Sequence, residues 1–541
     1  MTGHKVRFPN GKHGVVVAHR PPIAFVYSGL ETMEVSDGTV SVLKDMATIS
    51  VRDEKKVVCW DGSPVDATAA DNAVARFGIT SDRAIFARIP QVKDIALINS
   101  PMLTGNTMID TLAPIGQGQN MLLVEDDVSA ARGMICDFIK TQQRSAFSGK
   151  GKKPMKFVYA AIDDSDDVTK RLKAAGVADD VHVVVSTLTA NSNVEEAAKA
   201  AEATAMASAA CAIAESYALE QGMNTVVIVD SLDQHKALWD ATTRTLVDVF
   251  GMESVVKSDR EGGASSEMRG FFSAIVQRSA QYKASRGGGS VTLLLLMKLP
   301  DTADDDVNTI YTESDFESGS DKVKTRIQLL ASKGIPLTAA TLRKLEIPIP
   351  SASEGKRRLV LQHIDDLISM SDGQIWLDKK LREAGQNPPV DPQRSVTRIG
   401  IGADTQSRAD APALRRIAEG LRLAFSQAAN MEGAEETTAS KKQLRQRNTL
   451  LLAMHQKDGQ GGRTLSESCI AIMAATNGFL DDAIDSGKVA GTEAGQKIMN
   501  DLMESVRKNA ADALASIDDT LDLSDDAKKE VLSAIESFFS S

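Results

Sequence analysis

The feature that most constrains the fold is a set of five short segments, each apolar almost throughout, between residues 95 and 380. The segments are Met121–Val124, Phe157–Ile162, Val181–Val185, Thr225–Val229 and Val291–Met297. Short runs without polar alternation are typical of strands buried on both faces of a sheet. Longer helical stretches separate them, including the Ala-rich segment Val194–Glu220. Alternating strands and helices predict an α/β domain around a parallel sheet.

The segments on either side of this core have different patterns. Over residues 1–70, turn pairs such as Asn10-Gly11 separate the β-type runs Val15–Val17, Ile23–Tyr27 and Val57–Trp60. This spacing predicts a small β-barrel. From residue 411 to 541 we find no strand signal, and apolar residues such as Leu414 and Leu421 fall near helical spacing, which predicts a helical bundle. The α/β core then spans residues 71–410.

One part of the core, residues 301–356, is polar and irregular. Its first half is acidic, and its second half is basic. A short helix is predicted near Val323–Leu330, and the rest has no sustained apolar periodicity. We therefore expect a solvated, mobile insertion on the surface of the core.

Composition excludes several classes of function. The net charge is −11, so a global cationic surface for nucleic acid is absent and no nucleic-acid partner is predicted. The longest apolar run, Val291–Met297, is far shorter than the roughly 20 residues that span a bilayer. The seven histidines lack paired ligand spacing, so we predict no metal site. The four cysteines are far apart in the sequence and are expected to be reduced: Cys59, Cys136, Cys211 and Cys469.

The first residues lack the apolar region of a secretory signal and show no Arg- and Ser-rich transit segment. Either import does not occur, or the targeting segment is missing from this chain.

The strongest local motif runs from Ser100 to Val124 and reads SPMLTGNTMIDTLAPIGQGQNMLLV. It resembles the segment P-M-Q-T-G-x-x-x-I-D-x-L-x-P-I-G-x-G-Q that enters the nucleotide-binding strand of the ATP synthase alpha subunit. Six further segments resemble that family in its order along the chain: Arg7–Gly11, Thr225–Leu232, Gly287–Thr292, Ser371–Leu377, Ser395–Gly400 and Ala474–Asp482. The resemblance implies the three-domain architecture of the ATP synthase alpha and beta subunits, with a RecA-like parallel-sheet core.

In that family a phosphate-binding loop, G-x-x-x-x-G-K-[ST], follows this strand. At the same register this chain has Glu125, Asp126, Asp127, Val128, Ser129, Ala130, Ala131 and Arg132. Both glycines, the lysine and the Mg²⁺-binding hydroxyl are replaced, and three carboxylates lie where an anion would bind. We expect this loop to have lost nucleotide binding, although Arg132 could substitute for the lysine from a shifted position.

Two more residues acquire expected roles from the resemblance. Asp230 ends the strand Thr225–Val229 and corresponds to the aspartate that orients Mg²⁺, so here it is interpreted as a relic. Arg398, within Ser395–Gly400, corresponds to the arginine that projects into the catalytic site of a neighbouring beta subunit. The alternative for Arg398 is a structural salt bridge at the surface.

The resemblance leaves two functional hypotheses. In the first, the chain is a non-catalytic alpha-type subunit of a rotary proton-translocating ATP synthase. It alternates with beta subunits in a hexameric ring. Presence and absence of a contact with the central shaft subunit are both left open, because Asn430–Thr438 replaces the usual shaft-facing loop. No cofactor is expected on this chain alone, since ATP, ADP and Mg²⁺ would bind the beta subunits.

The second hypothesis is a pseudoenzyme that acts as an interaction scaffold without a bioenergetic role. Under the first hypothesis the chain lies on the matrix side of the mitochondrial inner membrane and meets the membrane only through its complex. A plastid or cytoplasmic location is the alternative.

Overall fold

The structure is a computed structural model, and its described part covers most of the chain. The described residues are 2–28, 40–49, 57–60, 83–125, 128–148, 155–186, 195–253, 255, 264–299, 311–316, 321–345, 347, 351–398, 413–418, 420–429, 438–457, 459 and 461–540. They fall into two compact units, one made of residues 1–297 with 370–541, and the other of residues 298–369.

Strands occupy the positions that the apolar runs indicate. They are β1 His4–Arg7, β2 His13–Arg20, β3 Ile23–Tyr27, β4 Ser41–Met46, β5 Thr48–Ile49, β6 Val57–Cys59, β7 Arg83–Ala84, β8 Pro101–Met102, β9 Ile115–Gly116, β10 Asn120–Glu125, β11 Lys156–Ala161, β12 Val181–Val185, β13 Asn224–Asp230, β14 Ala280–Gln281, β15 Ser290–Lys298, β16 Gly373–Leu377 and β17 Val396–Thr397. The five strands predicted for the core are thereby confirmed as β10, β11, β12, β13 and β15.

Helices separate these strands and make up the C-terminal region. They are α1 Thr107–Leu112, α2 Val128–Ser148, α3 Ser165–Ala175, α4 Glu196–Glu220, α5 Asp233–Phe250, α6 Ala264–Val276, α7 Asp321–Ser332, α8 Ala339–Lys344, α9 Ser351–Met370, α10 Lys379–Glu383, α11 Ala413–Ile417, α12 Leu421–Ala429, α13 Thr438–Met454, α14 Leu465–Thr476, α15 Asp481–Asp485, α16 Glu493–Asn509, α17 Ala511–Thr520 and α18 Asp525–Ser540. Short 3₁₀ turns cover Ala178–Asp180, Ala284–Arg286 and Glu313–Phe316.

The central sheet has nine strands in the order β17-β16-β10-β15-β13-β11-β12-β6, with β14 beside β15. The pairs β10/β16, β13/β15, β11/β13, β11/β12 and β12/β6 are parallel. The short strands β14 and β17 run antiparallel to their neighbours, so the sheet is mixed. The parallel part is what the alternating sequence pattern predicts, because crossover helices return the chain to the same end of the sheet.

Both faces of the central strands are covered, as their composition requires. On one face, side chains such as Leu123, Phe157 and Ile228 join α2 and the C-terminal helices in one apolar cluster. Phe138 of α2 meets Phe157 edge to face, with ring centroids 5.3 Å apart. The long helix α4 is buried along most of its length, and its run of alanines lets it pack closely against other elements.

The N-terminal region differs from its prediction in one strand. Strands β3-β2-β1-β4 form an antiparallel sheet, and the described strands show no pairing that closes it into a barrel. Val57–Cys59, assigned by sequence to the barrel, instead pairs with Val183–Val185 and forms the outermost strand on one side of the central sheet. Its apolar, β-branched residues suit either sheet, so the local sequence pattern does not show whether this strand joins the N-terminal sheet or the central one. Residues 29–39, 50–56 and 61–82 lie outside the described residues.

The helices from α11 to α18 pack into one apolar cluster around α14. Ten residues of α14 are buried, and a capping box of Thr464 and Glu467 closes its N-terminus. This is the all-helical region that the sequence predicts beyond residue 411. Residues 430–437, which make up most of the predicted shaft-facing loop, lie outside the described residues.

The unit of residues 298–369 contains the predicted insertion. Its described residues form α7, α8 and most of α9, and they enclose an apolar cluster of their own: Tyr311, Phe316, Ile327, Leu337, Leu342 and Ile347. The acidic residues between positions 301 and 310 lie outside the described residues. The described part therefore has a small core of its own, although its sequence is largely polar.

Candidate functional site

The carboxyl edge of the central sheet carries the residues that the phosphate-loop comparison singled out. Glu125 ends β10 and Asp230 ends β13, and both side chains are fully buried. In open parallel sheets this edge is where ligands bind. Asp126 and Asp127 lie outside the described residues, and α2 begins directly after them at Val128.

Arg132, on the second turn of α2, connects this edge to two other elements. Its Nε donates to Asp230 Oδ2 at 2.7 Å, and its Nη1 donates to Asp167 Oδ2 at 2.8 Å. Tyr159 Oη donates to the same Asp230 oxygen at 2.8 Å. The arginine side chain is 6% exposed. Arg132 therefore binds protein carboxylates at the place where the family holds Mg²⁺ and phosphate.

The charges of this cluster stabilise one another. Burial lowers the pKa of Arg132, but the hydrogen bond and charge of Asp230 outweigh it and raise that pKa above its ordinary value. Burial raises the pKa of Asp167, whereas hydrogen bonds from Arg171 and Arg132 lower it, and the net result is a lowered pKa. Burial and then the neighbouring Asp230 raise the pKa of Tyr159 well above its usual value. The guanidinium thus stays charged and the tyrosine stays protonated.

The other replaced loop positions offer little to a phosphate. Ala131, where the family has its lysine, is 0% exposed, and Ala130 is 2% exposed. Ser129 is exposed on the first turn of α2. Asp230 Oδ1 has no hydrogen-bond partner among the described residues, so one acceptor remains at the strand end. The described side chains do not fit a bound Mg-nucleotide, because Asp230 is already paired with the Arg132 guanidinium.

Sequence reasoning identified Arg132 and Asp230 but missed Tyr159 and Asp167. In the parallel pairing of β11 with β13, Ala161 lies opposite Asp230. Tyr159, two residues earlier, therefore faces the same side of the sheet. A polar residue near the end of a predicted strand was the available signal. It becomes informative only once the strand order is known.

Arg398 lies at the opposite edge of the same sheet. It follows β17 directly, and β17 pairs antiparallel with the start of β16, where Gly373 lies opposite Thr397. Since β16 is parallel to the six-residue strand β10, the two edges are separated by about 16 Å of strand. The Arg398 side chain is exposed, and its Nη1 donates to the Ser371 carbonyl at 3.0 Å.

A polar network that sequence reasoning missed supports this edge. Asp372 Oδ2 accepts from Asn120 N at 3.0 Å and from Asn120 Nδ2 at 2.9 Å, and Asn120 Oδ1 accepts from Asp372 N at 2.9 Å. Gln119 Nε2 donates to Thr397 Oγ1 at 2.8 Å. Burial raises the pKa of Asp372, although the Asn120 hydrogen bond and the Arg398 charge oppose that rise. The backbone that carries Arg398 is thus tied to the first residues of β10.

The motif from Ser100 to Val124 has a structural role of its own. Gly105 has φ +77°, and a Cβ there would lie 2.1 Å from Thr141 Oγ1. Its carbonyl accepts from Gln456 Nε2 at 2.7 Å and from Arg463 N at 2.8 Å. Asp110 accepts from the Thr104 and Gly105 amides. The motif therefore docks the core sheet onto the C-terminal helices as well as leading into β10.

Two further observations concern other kinds of site. Across the described residues, His, Cys, Asp and Glu side chains do not gather in groups of three that could hold a metal ion. None of the described helices is both long enough and apolar enough to cross a bilayer.

Comparisons with known proteins agree with the order of the motifs. The chain is similar to ATP synthase subunit alpha of Anaplasma phagocytophilum, with 23% identity over 549 residues that cover 99% of this chain and 89% of that protein. It is 22% identical to ATP synthase subunit alpha of Mycolicibacterium smegmatis, which it covers to 83%. It is 24% identical to that of Acidithiobacillus ferridurans, which it covers to 90%. No family model matches the chain.

The similarity thus extends over nearly the whole of this chain, including the core sheet and the C-terminal helices. The chain is a strongly diverged ATP synthase alpha-subunit-like protein.

Proposed function

We propose that this chain is a non-catalytic alpha-type subunit of a rotary proton-translocating ATP synthase, which alternates with beta subunits in a hexameric ring. The observation that carries the proposal is the contrast between the two edges of its central sheet. At one edge Arg132 is bound by internal carboxylates, and at the other Arg398 is exposed to solvent.

The chain's own nucleotide site is lost in this proposal. A Mg²⁺ ion at Asp230 would lie beside the Arg132 guanidinium, 2.7 Å from the same carboxylate, and like charges at such distances repel strongly at a buried site. A phosphate in the loop would meet Glu125 and would lack the lysine that Ala131 replaces. The chain alone therefore binds no cofactor, and ATP or ADP with Mg²⁺ binds to the partner beta subunits.

Arg398 acts on a nucleotide that another subunit holds. It lies at the edge of the sheet opposite its own degenerate loop, so a phosphate within its reach belongs to a different chain. A guanidinium suits this role because it stays charged and presents a planar fork to phosphate oxygens. The hydrogen bonds between Asn120 and Asp372 position it, and the degenerate loop takes no part in those bonds.

The compartment and the membrane contact follow from the same proposal. The subunit would lie on the matrix side of the mitochondrial inner membrane and would reach the membrane only through the complex, with the central shaft as a further contact. All four cysteines are buried and none forms a disulfide, which fits a reducing compartment.

Affinity purification of the tagged chain under native conditions, followed by native mass spectrometry, tests the proposal. We expect a beta subunit in equal number to this chain, together with shaft subunits. The matched control is the Arg398→Ala chain, which should recover the same complex because an exposed side chain contributes little to assembly. Recovery of the chain alone, or with proteins unrelated to ATP synthesis, would contradict the proposal and favour the scaffold alternative.

A further inference from the structure

A cavity of about 390 Å³ lies where the N-terminal sheet covers α4, α5 and α6. Residues of β2 and the turn after it form one wall, and the three helices form the others. Its volume is within the range of roughly 300–1,000 Å³ that is typical of small-molecule sites. None of the residues assigned to the nucleotide-related edges lines it.

Aromatic side chains form much of the cavity wall. Trp239 and Phe271 are in contact, with ring centroids 5.6 Å apart, and Phe86 also lines the cavity. Ile275 completes an apolar patch beside them. Such a surface would cover the body of a small apolar or aromatic ligand.

Two buried arginines also line the cavity. Arg20, 6% exposed, lies over the Trp239 ring with its guanidinium carbon 4.0 Å from the centroid. Its Nη1 donates to Thr243 Oγ1 at 2.7 Å, but its contacts with Glu267 are long, at 3.4 Å. Glu267 is half exposed, so it neutralises Arg20 weakly.

Arg278 is the more informative of the two because it is 1% exposed. Its Nε donates to Glu215 at 2.7 Å, and its Nη1 donates to the Ile85 and Ser208 carbonyls. Its Nη2 has no hydrogen-bond partner among the described residues. A buried donor without an acceptor is unfavourable, more so when it is charged, so such groups usually have a partner.

The charged groups around Arg278 also leave an excess of positive charge. The Glu215 carboxylate also accepts from Arg83 at 3.2 and 3.3 Å, so one carboxylate serves two guanidinium groups. The buried group therefore carries an excess positive charge. A single negative charge would balance it, whereas a dianion would be repelled by Glu267 at the cavity wall.

We propose that this cavity binds a small organic monocarboxylate with an apolar or aromatic body. The carboxylate lies beside Arg20 within the field of the buried Arg278, and the body packs on Trp239 and Phe271. This assignment depends on the cavity alone and stands whether or not the chain assembles into a ring.

Binding to the purified full-length chain is measured by calorimetry with benzoate, 3-phenylpropionate and octanoate. At least one of them should bind in a 1:1 ratio, and its neutral amide should bind at least about tenfold more weakly because the charge-assisted hydrogen bond is lost. Failure of all three acids to bind, or equal binding of acid and amide, overturns the proposal.

A substitution at Gly270 locates the site without removing an arginine. Gly270 lines the cavity on α6, and a Cβ built there meets no atom within 4 Å. Gly270→Leu should fill the cavity, weaken binding by at least about tenfold and leave the unfolding midpoint at or above that of the wild type, since glycine is a poor helix former. Gly270→Ala is the matched control and should bind as the wild type does. Unchanged affinity in Gly270→Leu would place the ligand elsewhere and overturn the assignment.

Discussion

Two arginines at opposite edges of one sheet have opposite surroundings. Arg132 is 6% exposed and is held by two carboxylates, whereas Arg398 is exposed and its Nη1 donates to a backbone carbonyl. A buried guanidinium that is fully paired with carboxylates has little attraction left for a phosphate, because its charge is already neutralised. The two edges therefore differ in charge pairing: Arg132 is neutralised by carboxylates inside the protein, whereas the Arg398 side chain is open to solvent.

The largest expected effect is at the exposed edge. In a ring reconstituted with beta subunits, Arg398→Ala should slow ATP hydrolysis by roughly 10³-fold or more, the scale of an arginine supplied in trans to phosphoryl transfer. Arg398→Lys should restore little, since a point charge does not reproduce the planar fork.

The matched control is Arg394→Ala, on the same segment four residues before Arg398. Arg394 is also exposed and lies over the Trp376 ring at 3.3 Å, so its loss should change the rate by less than about tenfold. If the Arg398→Ala ring assembles and hydrolyses ATP at the wild-type rate, the proposed role in trans is wrong, and the comparison between the two edges loses its functional meaning.

The next effect is on stability at the buried edge. Arg132→Ala should lower the free energy of unfolding of the isolated chain by about 3–5 kcal/mol, because it leaves buried Asp230 without its charge partner. Arg171→Ala is the control, since it removes a partly exposed partner of Asp167 and should cost less than about 1 kcal/mol. Denaturant unfolding measures both. Equal losses in the two variants would show that the Arg132 cluster does not stabilise the buried edge in this way.

The two edges should also respond to pH with opposite signs. Asp167 has a lowered pKa, so its contribution to stability is present above the unfolded value of 3.8 and is lost as pH falls through the folded one. Asp372 has a raised pKa, so the folded state retains a proton that the unfolded chain releases, and stability falls as pH rises above about 3.8.

Stability curves for Asp167→Asn and Asp372→Asn, each compared with the wild type between pH 3 and 7, should therefore diverge in opposite directions. Each slope should stay well below the limit of about 1.4 kcal/mol per pH unit for one group. Slopes of the same sign would show that the electrostatic contrast between the edges has been misjudged.

The smallest expected effect concerns nucleotide binding by the isolated chain, where we expect none to be measured. Titration of the isolated chain with Mg-ATP should release no heat attributable to its own loop and should not raise its unfolding midpoint. A ligand at 100 times its dissociation constant would stabilise the fold by about 2.7 kcal/mol, so binding at micromolar affinity could not be overlooked. Micromolar binding that Arg132→Ala abolishes would support the alternative in which Arg132 substitutes for the missing lysine.

Many of the strands and helices could be predicted from the pattern of apolar residues within short segments of the sequence. The apolar runs at β10, β11, β12, β13 and β15 indicated their own strands, because a segment buried on both faces has few polar residues to confuse the assignment. The alanine-rich helix predicted over 194–220 is observed as Glu196–Glu220. The Val57–Cys59 run indicated a strand as well, but not the sheet that the strand joins.

Residue types along the chain specify local features: which segments are strands and helices, which loop residues replace the phosphate-binding ones, and where an arginine follows a strand. Which of these residues come into contact depends on how the strands and helices pack. Arg132 and Asp230 are 98 positions apart and come together because β10 and β13 end at the same edge of the sheet. Arg278 and Arg20 share a cavity because the N-terminal sheet folds over α4, α5 and α6. Such contacts depend on strand order and helix packing, which residue types along the chain do not encode one position at a time.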